Sequence, residues 1–188
     1  KMEARMMEAR EAGHGDHRAA AQAVARWKGA SRDAFQGVRV MGMPIGKGNH
    51  WSVVMMINPG TTEAAFAHIN SMPNTHAHAR EVVRAYYAGV LATDQSEAAW
   101  AAAWEKAGKV PWITTRTPRQ QNGVDCGIFA LEACAGVRRA LGNGDIPARN
   151  RLNKWLKKAV SRCSDFTEAQ GGDKERLRLA WEVADMAT

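Results

Sequence analysis

Residues 117–129 read TPRQQNGVDCGIF and place a cysteine where a loop becomes a helix. Asn122-Gly123 is a turn-forming pair, because glycine tolerates a positive φ. From Cys126 onward the sequence has an apolar, helix-like pattern that ends at Gly142. The unpaired N–H groups and the dipole of a helix N-terminus favour an anion, and the thiolate is the nucleophilic form of cysteine. Cys126 is therefore a candidate nucleophile.

The other two cysteines have settings that suit structural roles. Cys134 lies in the middle of the same helix on an apolar face, and Cys163 ends a basic helix with no evident base beside it. The chain has no CxxC pair and no metal-ligand spacing, so we predict neither a metal nor another cofactor. Three cysteines without a disulfide framework favour a reducing, intracellular compartment, the cytoplasm or the nucleus.

Length and composition predict one compact domain over residues 1–188. The chain is 45% hydrophobic and 24% charged, which suits a sizeable core. We divide it into a helical segment (1–37), a core (38–140) and C-terminal helices (141–188). Apolar runs fall short of the roughly 18 residues of a membrane span, so none is expected. The first residue is Lys1 rather than Met, which suggests a fragment of a longer protein.

The net charge of +7 is weak support for an acidic partner or nucleic acid. The clearest basic stripe lies on the helix predicted from Pro147 to Cys163. A basic stripe of this kind is most often a solvated helix face. Aromatic residues are not interleaved with it as they are in single-strand binders. Nucleic-acid binding therefore stays a minor alternative.

Alternating hydrophobic patterns predict an α+β fold, with a small central mixed β-sheet flanked by helices. The second predicted strand is a short apolar run that indicates a buried strand, with the third as its hairpin partner. The predicted strands are 38–45 (ending at Pro44), 51–57, 65–71 and 110–115; the predicted helices are 2–28, 78–92, 94–107, 126–141, 147–163 and one from Asp173.

A cysteine nucleophile needs a base, and one of the six histidines stands out. His50 comes just before the predicted buried strand, which would hold its ring rigidly at a sheet end. A lone histidine is more often structural or exposed, and position alone does not decide between these roles. The other histidines lie in the polar N-terminal stretch, inside a strand or before a helix: His14, His17, His68, His76 and His78.

Three segments in order, NHWSVVMMI (49–57), HINSM (68–72) and PRQQNGVDCGIF (118–129), resemble the three motifs of the Ulp-type ubiquitin-like-protein proteases. This family belongs to the cysteine-peptidase clan that includes the adenovirus-type proteases and many bacterial effectors. The resemblance covers residues 38–140, and its third motif is the most specific. It implies the fold of that clan, with the catalytic cysteine at a helix N-terminus.

The resemblance also implies roles for individual residues. Cys126 would be the nucleophile, and His50 its base and later the acid for the leaving amine. The side-chain amide of Gln120 and the backbone N–H of Cys126 would bind the oxyanion. Trp51 resembles the family tryptophan that roofs a narrow channel for a Gly-Gly tail. Asp125 would brace the loop.

Asn70 departs from the family pattern, which has aspartate at this position. An amide oxygen can still accept a hydrogen bond from the imidazole, as in the Cys-His-Asn enzymes, but it supplies no charge. Three alternatives stay open: a working Cys-His-Asn triad, an acid recruited from elsewhere such as Glu63, or an impaired enzyme. An aspartate at position 70 should be tolerated on the first alternative, because a carboxylate accepts the same bond.

The function that the resemblance implies is cleavage after the C-terminal Gly-Gly of ubiquitin or of a SUMO- or NEDD8-type modifier. The reaction would pass through a thioester. The alternatives are a viral-type polyprotein protease, a YopJ-like acetyltransferase on the same scaffold, and a pseudoprotease that only binds a ubiquitin-like protein. An Ala- and Arg-rich composition further suggests a GC-rich genome and a bacterial effector that acts in a host cell.

Overall fold

A computed structural model describes residues 32–72, 75–92, 96–115, 119 and 125–161. This part of the chain forms a four-stranded sheet in the order β1-β2-β3-β4 together with four α-helices. The predicted α+β class is confirmed. The predicted helices over 2–28 and from Asp173 lie outside the described residues. The elements are β1 (Val40–Lys47), β2 (His50–Ile57), β3 (Ala65–Ile69), α1 (Ala79–Leu91), α2 (Glu97–Gly108), β4 (Trp112–Thr114), α3 (Cys126–Gly142) and α4 (Arg149–Ala159), preceded by a 3-10 turn (Arg32–Phe35).

The first two strands form a hairpin with a two-residue turn, Gly48-Asn49. Gly48 has a φ of 60°, as the first central position of a type II′ turn requires. This turn type matches the right-handed twist of the paired strands. The short turn therefore fixes the register of β2 directly, and with it the position of His50 at the start of that strand.

The sheet is mixed, as predicted. Side-chain contacts pair His50 with Asn70 and Ser52 with His68, so residue numbers fall on β3 as they rise on β2. This is the pattern of antiparallel strands. Phe66 N–H donates to Pro111 and Thr115 N–H donates to His68, so β4 runs parallel to β3.

The first strand extends beyond its predicted end at Pro44 and reaches Lys47. The prediction of an early end was wrong because β1 is an edge strand and Pro44 is exposed. An edge strand tolerates proline where the missing N–H would face solvent. The prediction of a buried second strand is confirmed, since residues 52–57 of β2 are all buried.

Helix ends follow local capping rather than the apolar pattern alone. The second helix begins at Glu97, later than predicted, because the Ser96 hydroxyl accepts a hydrogen bond from Ala99 N–H at 3.2 Å. The last described helix begins at Arg149, two residues after Pro147, and ends at Ala159. None of the helices in the described ranges is long and apolar enough to cross a membrane.

The chain contacts group the described residues into two compact units. The first contains residues up to Met41, with Met56–Phe66 and Ala77–Trp112. Tyr87 on α1 is at its centre, stacked on Phe35 and edge-on to Phe66. Its hydroxyl accepts a hydrogen bond from Gly60 N–H at 2.9 Å, and burial raises the pKa of Tyr87. The phenol therefore stays neutral and contributes both apolar area and a satisfied polar atom.

The second unit contains Gly42–Met55, Ala67–His76 and the chain from Ile113 onward. Helices α3 and α4 meet closely at Gly136, where an added Cβ would overlap the carbonyl oxygen of Ala159. Cys134 faces β1, because a Cβ at Gly42 would lie 3.5 Å from its sulfur. This packing agrees with a structural role for Cys134.

Replacing Gly136 by alanine should force the two helices apart. We expect Gly136→Ala to lower the free energy of unfolding by about 1–3 kcal/mol, the usual effect of overpacking. Urea denaturation followed by circular dichroism would measure it. Gly142→Ala in the same helix is the matched control, because no atom lies within 4 Å of the added Cβ. Equal stability of the two variants would contradict this view of the helix contact.

Candidate active site

Cys126 is the first residue of α3, and only 3% of it is exposed. Its thiol donates a hydrogen bond to the carbonyl oxygen of Asn49 at an Sγ–O distance of 3.5 Å. The first turn of α3 has no acidic residue, and the N-cap position directly before it is occupied by Asp125. The turn before β2 thus contacts the candidate nucleophile directly.

His50, 8% exposed, lies at the start of β2, with its Nε2 2.8 Å from the Oδ1 of Asn70. Two neighbours determine which way the Asn70 amide points. Its Nδ2 donates to the carbonyl oxygen of Thr75 at 3.1 Å, while the backbone N–H of Met72 donates to Oδ1 at 3.0 Å. A carbonyl can only accept and an amide N–H can only donate. The side-chain oxygen of Asn70 therefore faces His50.

This orientation decides the tautomer of His50. Because Oδ1 of Asn70 only accepts, the Nε2 atom of His50 must carry the proton, and Nδ1 of the neutral ring has the free lone pair. That Nδ1 atom is buried without a hydrogen-bond partner in the described part of the chain. A buried polar atom of this kind calls for an explanation, and a basic nitrogen kept for a thiol proton is a direct one. The adjoining residue, Asn49, binds that thiol.

A second polar array lies behind His50. The ring centroid of His76 is 4.8 Å from that of His50, at an interplanar angle of 39°. The Ser52 hydroxyl is 2.7 Å from Nδ1 of His76 and 3.0 Å from Nε2 of His68. Asn70 therefore fixes one edge of the His50 ring, and His76 contacts its face.

Sequence reasoning missed Ser52, Thr75 and His76. A signal for Ser52 was present, because side chains two residues apart share one face of a strand. If His50 is opposite Asn70 on an antiparallel strand, Ser52 must be opposite His68. His76 gave no comparable signal, since it has a left-handed φ of 56° in a loop.

Trp51 is 49% exposed and lies over Gly46 of the neighbouring strand, where an added Cβ would be 2.9 Å from the indole ring. Beside it is a small cavity of about 10 Å³. A volume of this size holds about one water molecule, so it leaves no room for a large side chain. The residues that line it are Trp51, Ser52, Ile69, Ser71, Cys126, Phe129 and Ala130.

The remaining candidates are placed differently. Gln120 and Cys163 lie outside the described residues. Glu63 is exposed in the turn that joins β2 to β3, whereas His50 and Asn70 lie at the opposite ends of those strands. Burial raises the pKa of the Cys134 thiol to about 11, so it is protonated at neutral pH. Among the described residues, no group of three or more His, Cys, Asp or Glu side chains could hold a metal ion.

A cysteine at a helix N-terminus, with a nearby histidine that an asparagine orients, is the arrangement of a Cys-His-Asn thiol peptidase. Residues 4–160 match the Ulp1 protease family, C-terminal catalytic domain. The match covers more than half of the chain, which belongs to this family of cysteine peptidases. The match begins well before residue 38, the start of the region in which the three sequence motifs resemble the family. No curated protein matches the sequence.

Gly46→Ala should move the Trp51 ring without disturbing Cys126. We expect a higher KM and little change in kcat for a fluorogenic peptidase substrate, because the change acts on the Trp51 ring and not on the thiol. Gly42→Ala in the same strand is the control, since its added Cβ makes only ordinary contacts of 3.5–3.8 Å. A fall in kcat alone would contradict this assignment of Trp51.

The raised pKa of Cys134 predicts a low reactivity of this thiol in the folded protein. In the folded protein, iodoacetamide at pH 8 should leave Cys134 unmodified, because the thiolate forms only as the pH approaches about 11. Unfolding in urea should restore ordinary reactivity at pH 8, since burial is the cause of the shift. Peptide mapping by mass spectrometry measures both states. Rapid modification of folded Cys134 at pH 8 would show that the site is open to solvent.

Proposed function

We propose that this chain is a thiol isopeptidase that cleaves after the C-terminal Gly-Gly of ubiquitin or a ubiquitin-like modifier of the SUMO or NEDD8 type. The observation that carries the proposal is the oriented His50 ring beside the turn that binds Cys126. The family membership agrees with peptidase chemistry. The small cavity beside Trp51 and Cys126 favours a substrate tail without side chains.

Acylation begins when Nδ1 of His50 takes the thiol proton of Cys126. The thiolate then attacks the carbonyl carbon of the terminal glycine, and a tetrahedral oxyanion forms. The backbone N–H of Cys126, at the start of α3, is one donor for that oxyanion, and Gln120 would supply the other. When the C–N bond breaks, the His50 imidazolium gives its proton to the leaving amine. The products are an acyl-enzyme thioester and a free lysine or peptide amine.

Deacylation uses the same residues, with water as the nucleophile and the Cys126 thiolate as the leaving group. Nδ1 of His50 removes a proton from water, which attacks the thioester carbonyl of the acylated Cys126. Collapse of the second tetrahedral intermediate releases the modifier with a free carboxylate and regenerates the thiol. Throughout both steps Asn70 holds the ring but contributes no negative charge.

The dimensions of the cleft favour glycine next to the cleaved bond. The cavity at Cys126 is about 10 Å³, and the exposed Trp51 ring lies at its edge. Any residue that enters beside Cys126 must use space outside this cavity or move its wall, and glycine, which has no side chain, requires the least movement. A protease for general sequences would need a roomier subsite at this position.

The cellular setting is also part of the proposal. A catalytic thiol stays reduced in the cytoplasm or nucleus, where ubiquitin-like conjugates occur. We propose that the chain acts there, and that it acts as an effector if it comes from a bacterium. The exposed basic residues of α4, Arg151, Lys154, Lys157 and Lys158, would suit an acidic surface on the modifier or its conjugate.

A panel of ubiquitin-like proteins with C-terminal electrophiles tests the proposed function. At least one should label Cys126, and Cys126→Ala should abolish both labelling and turnover while binding and fold persist. Cys134→Ala, which changes a partly buried structural thiol, should keep most of the turnover. Appreciable turnover by Cys126→Ala would overturn the proposal.

The same panel separates the alternatives. Cleavage of linear peptides without any folded modifier would indicate a polyprotein-type protease. Transfer of acetyl groups from acetyl-CoA would indicate an acetyltransferase, and binding without turnover would indicate a pseudoprotease.

Gln120→Ala should slow acylation about a hundredfold with little change in substrate affinity, because an oxyanion donor acts on the developing charge. Single-turnover kinetics with a reactive modifier ester would measure this rate. Gln121→Ala is the matched control in the next position. If Gln121→Ala has the larger effect, our register for this loop is wrong by one residue.

A further inference from the structure

The carboxamide of Asn70 meets an unusual set of atoms on the side away from His50. Its Nδ2 donates to two oxygens of a single residue, the carbonyl of Thr75 at 3.1 Å and the Oγ1 of Thr75 at 2.9 Å. The carbonyl has no proton to give. The surroundings of Nδ2 therefore depend on where the hydroxyl proton of Thr75 goes.

The hydroxyl proton of Thr75 has a better acceptor than Asn70. Its Oγ1 is 2.7 Å from the carbonyl oxygen of Met72, but 3.4 Å from Oδ1 of Asn70. The shorter contact has the usual length of a strong O–H···O bond. The proton is therefore committed to Met72, and Thr75 presents lone pairs from both of its oxygens to Asn70.

From this geometry we infer that Thr75 is a positioning residue that selects an amide over a carboxylate at position 70. The inference rests on the proposed function for its meaning in catalysis. Thr75 touches no reacting atom in this account. It acts through Asn70, whose other end fixes the tautomer and direction of the His50 ring.

An aspartate at position 70 would replace the NH2 group by an oxygen. That oxygen would face the Thr75 carbonyl with no proton between them, and it could bind the Thr75 hydroxyl only if the hydroxyl proton left its 2.7 Å bond to the Met72 carbonyl. The carboxylate would have to bind a proton, rotate, or move the Thr75 segment, and rotation or movement would disturb the bond to His50. This reverses the expectation from sequence that Asn70→Asp is tolerated.

The test compares Thr75→Val and Thr75→Ser in three backgrounds: wild type, Asn70→Asp and Asn70→Ala. Valine keeps the shape of threonine but removes Oγ1, and serine keeps Oγ1. Three quantities are measured for each protein: kcat and KM for cleavage of a conjugate of the modifier that labels Cys126, and the rate of Cys126 alkylation by iodoacetamide. Alkylation depends on thiolate formation at Cys126 and requires no modifier.

In wild type, Thr75→Val should lower kcat and the alkylation rate about tenfold with KM unchanged, the equivalent of one lost hydrogen bond. Thr75→Ser should restore both rates. Asn70→Asp should be slower than wild type, and adding Thr75→Val should make it faster, since one source of repulsion is removed. In Asn70→Ala, where no amide is left to hold, Thr75→Val should have no effect.

A purely structural role for Thr75 would give a different result. Equal losses of kcat and alkylation rate from Thr75→Val in all three backgrounds would overturn the inference. They would show that Thr75 stabilises its own segment and does not act through Asn70. Asn70→Asp rates that match or exceed wild type would overturn it as well. If the alkylation pattern holds but no modifier is cleaved by the wild-type protein, the proposed function fails while the positioning role stands.

Discussion

The hydrogen bond between Nε2 of His50 and Oδ1 of Asn70 is the contact on which the rest of the site depends. It joins the ends of two antiparallel strands, and it also sets the tautomer of the neutral imidazole. Because the accepting oxygen is itself held by the Met72 N–H, the backbone determines the direction of the bond. The basic nitrogen of the candidate enzyme is thus chosen by main-chain geometry rather than by a negative charge.

A neutral acceptor has a cost and a benefit in such a site. Without a carboxylate, the imidazolium that forms during acylation gains less stabilisation. In return, the Asn70 side chain itself brings no charge that must be desolvated. The surrounding hydrogen bonds involve the hydroxyls of Ser52 and Thr75 and the rings of His68 and His76. A site without a charged acceptor depends on the placement of its hydrogen bonds. This is a reason for the many hydrogen bonds among the residues around His50.

The sequence predicted the parts of this arrangement that local patterns encode. Cys126 at a helix start, His50 before a buried strand and the sheet of four strands all follow from periodicity and turn chemistry. The early end at Pro44 and the early start of α2 were wrong, because edge position and a serine cap decide those ends. The contacts of Thr75 and His76 could not be predicted, since they depend on the path of a loop with a left-handed residue. Gln120 stays a prediction.

The two turns that flank β2 differ in what they would permit over evolution. The segment between β2 and β3 contains the positive-φ residues Asn58 and Gly60. Lengthening it leaves the pairing of His50 with Asn70 unchanged, because the buried residues of β2 and β3 set the register of the two strands. An extra residue at Gly48-Asn49 would instead shift the carbonyl that binds Cys126. Relatives of this chain should therefore vary in length between β2 and β3 and keep two residues between β1 and β2. The distance along the sequence between histidine and asparagine is then a poor guide to whether the pair is formed.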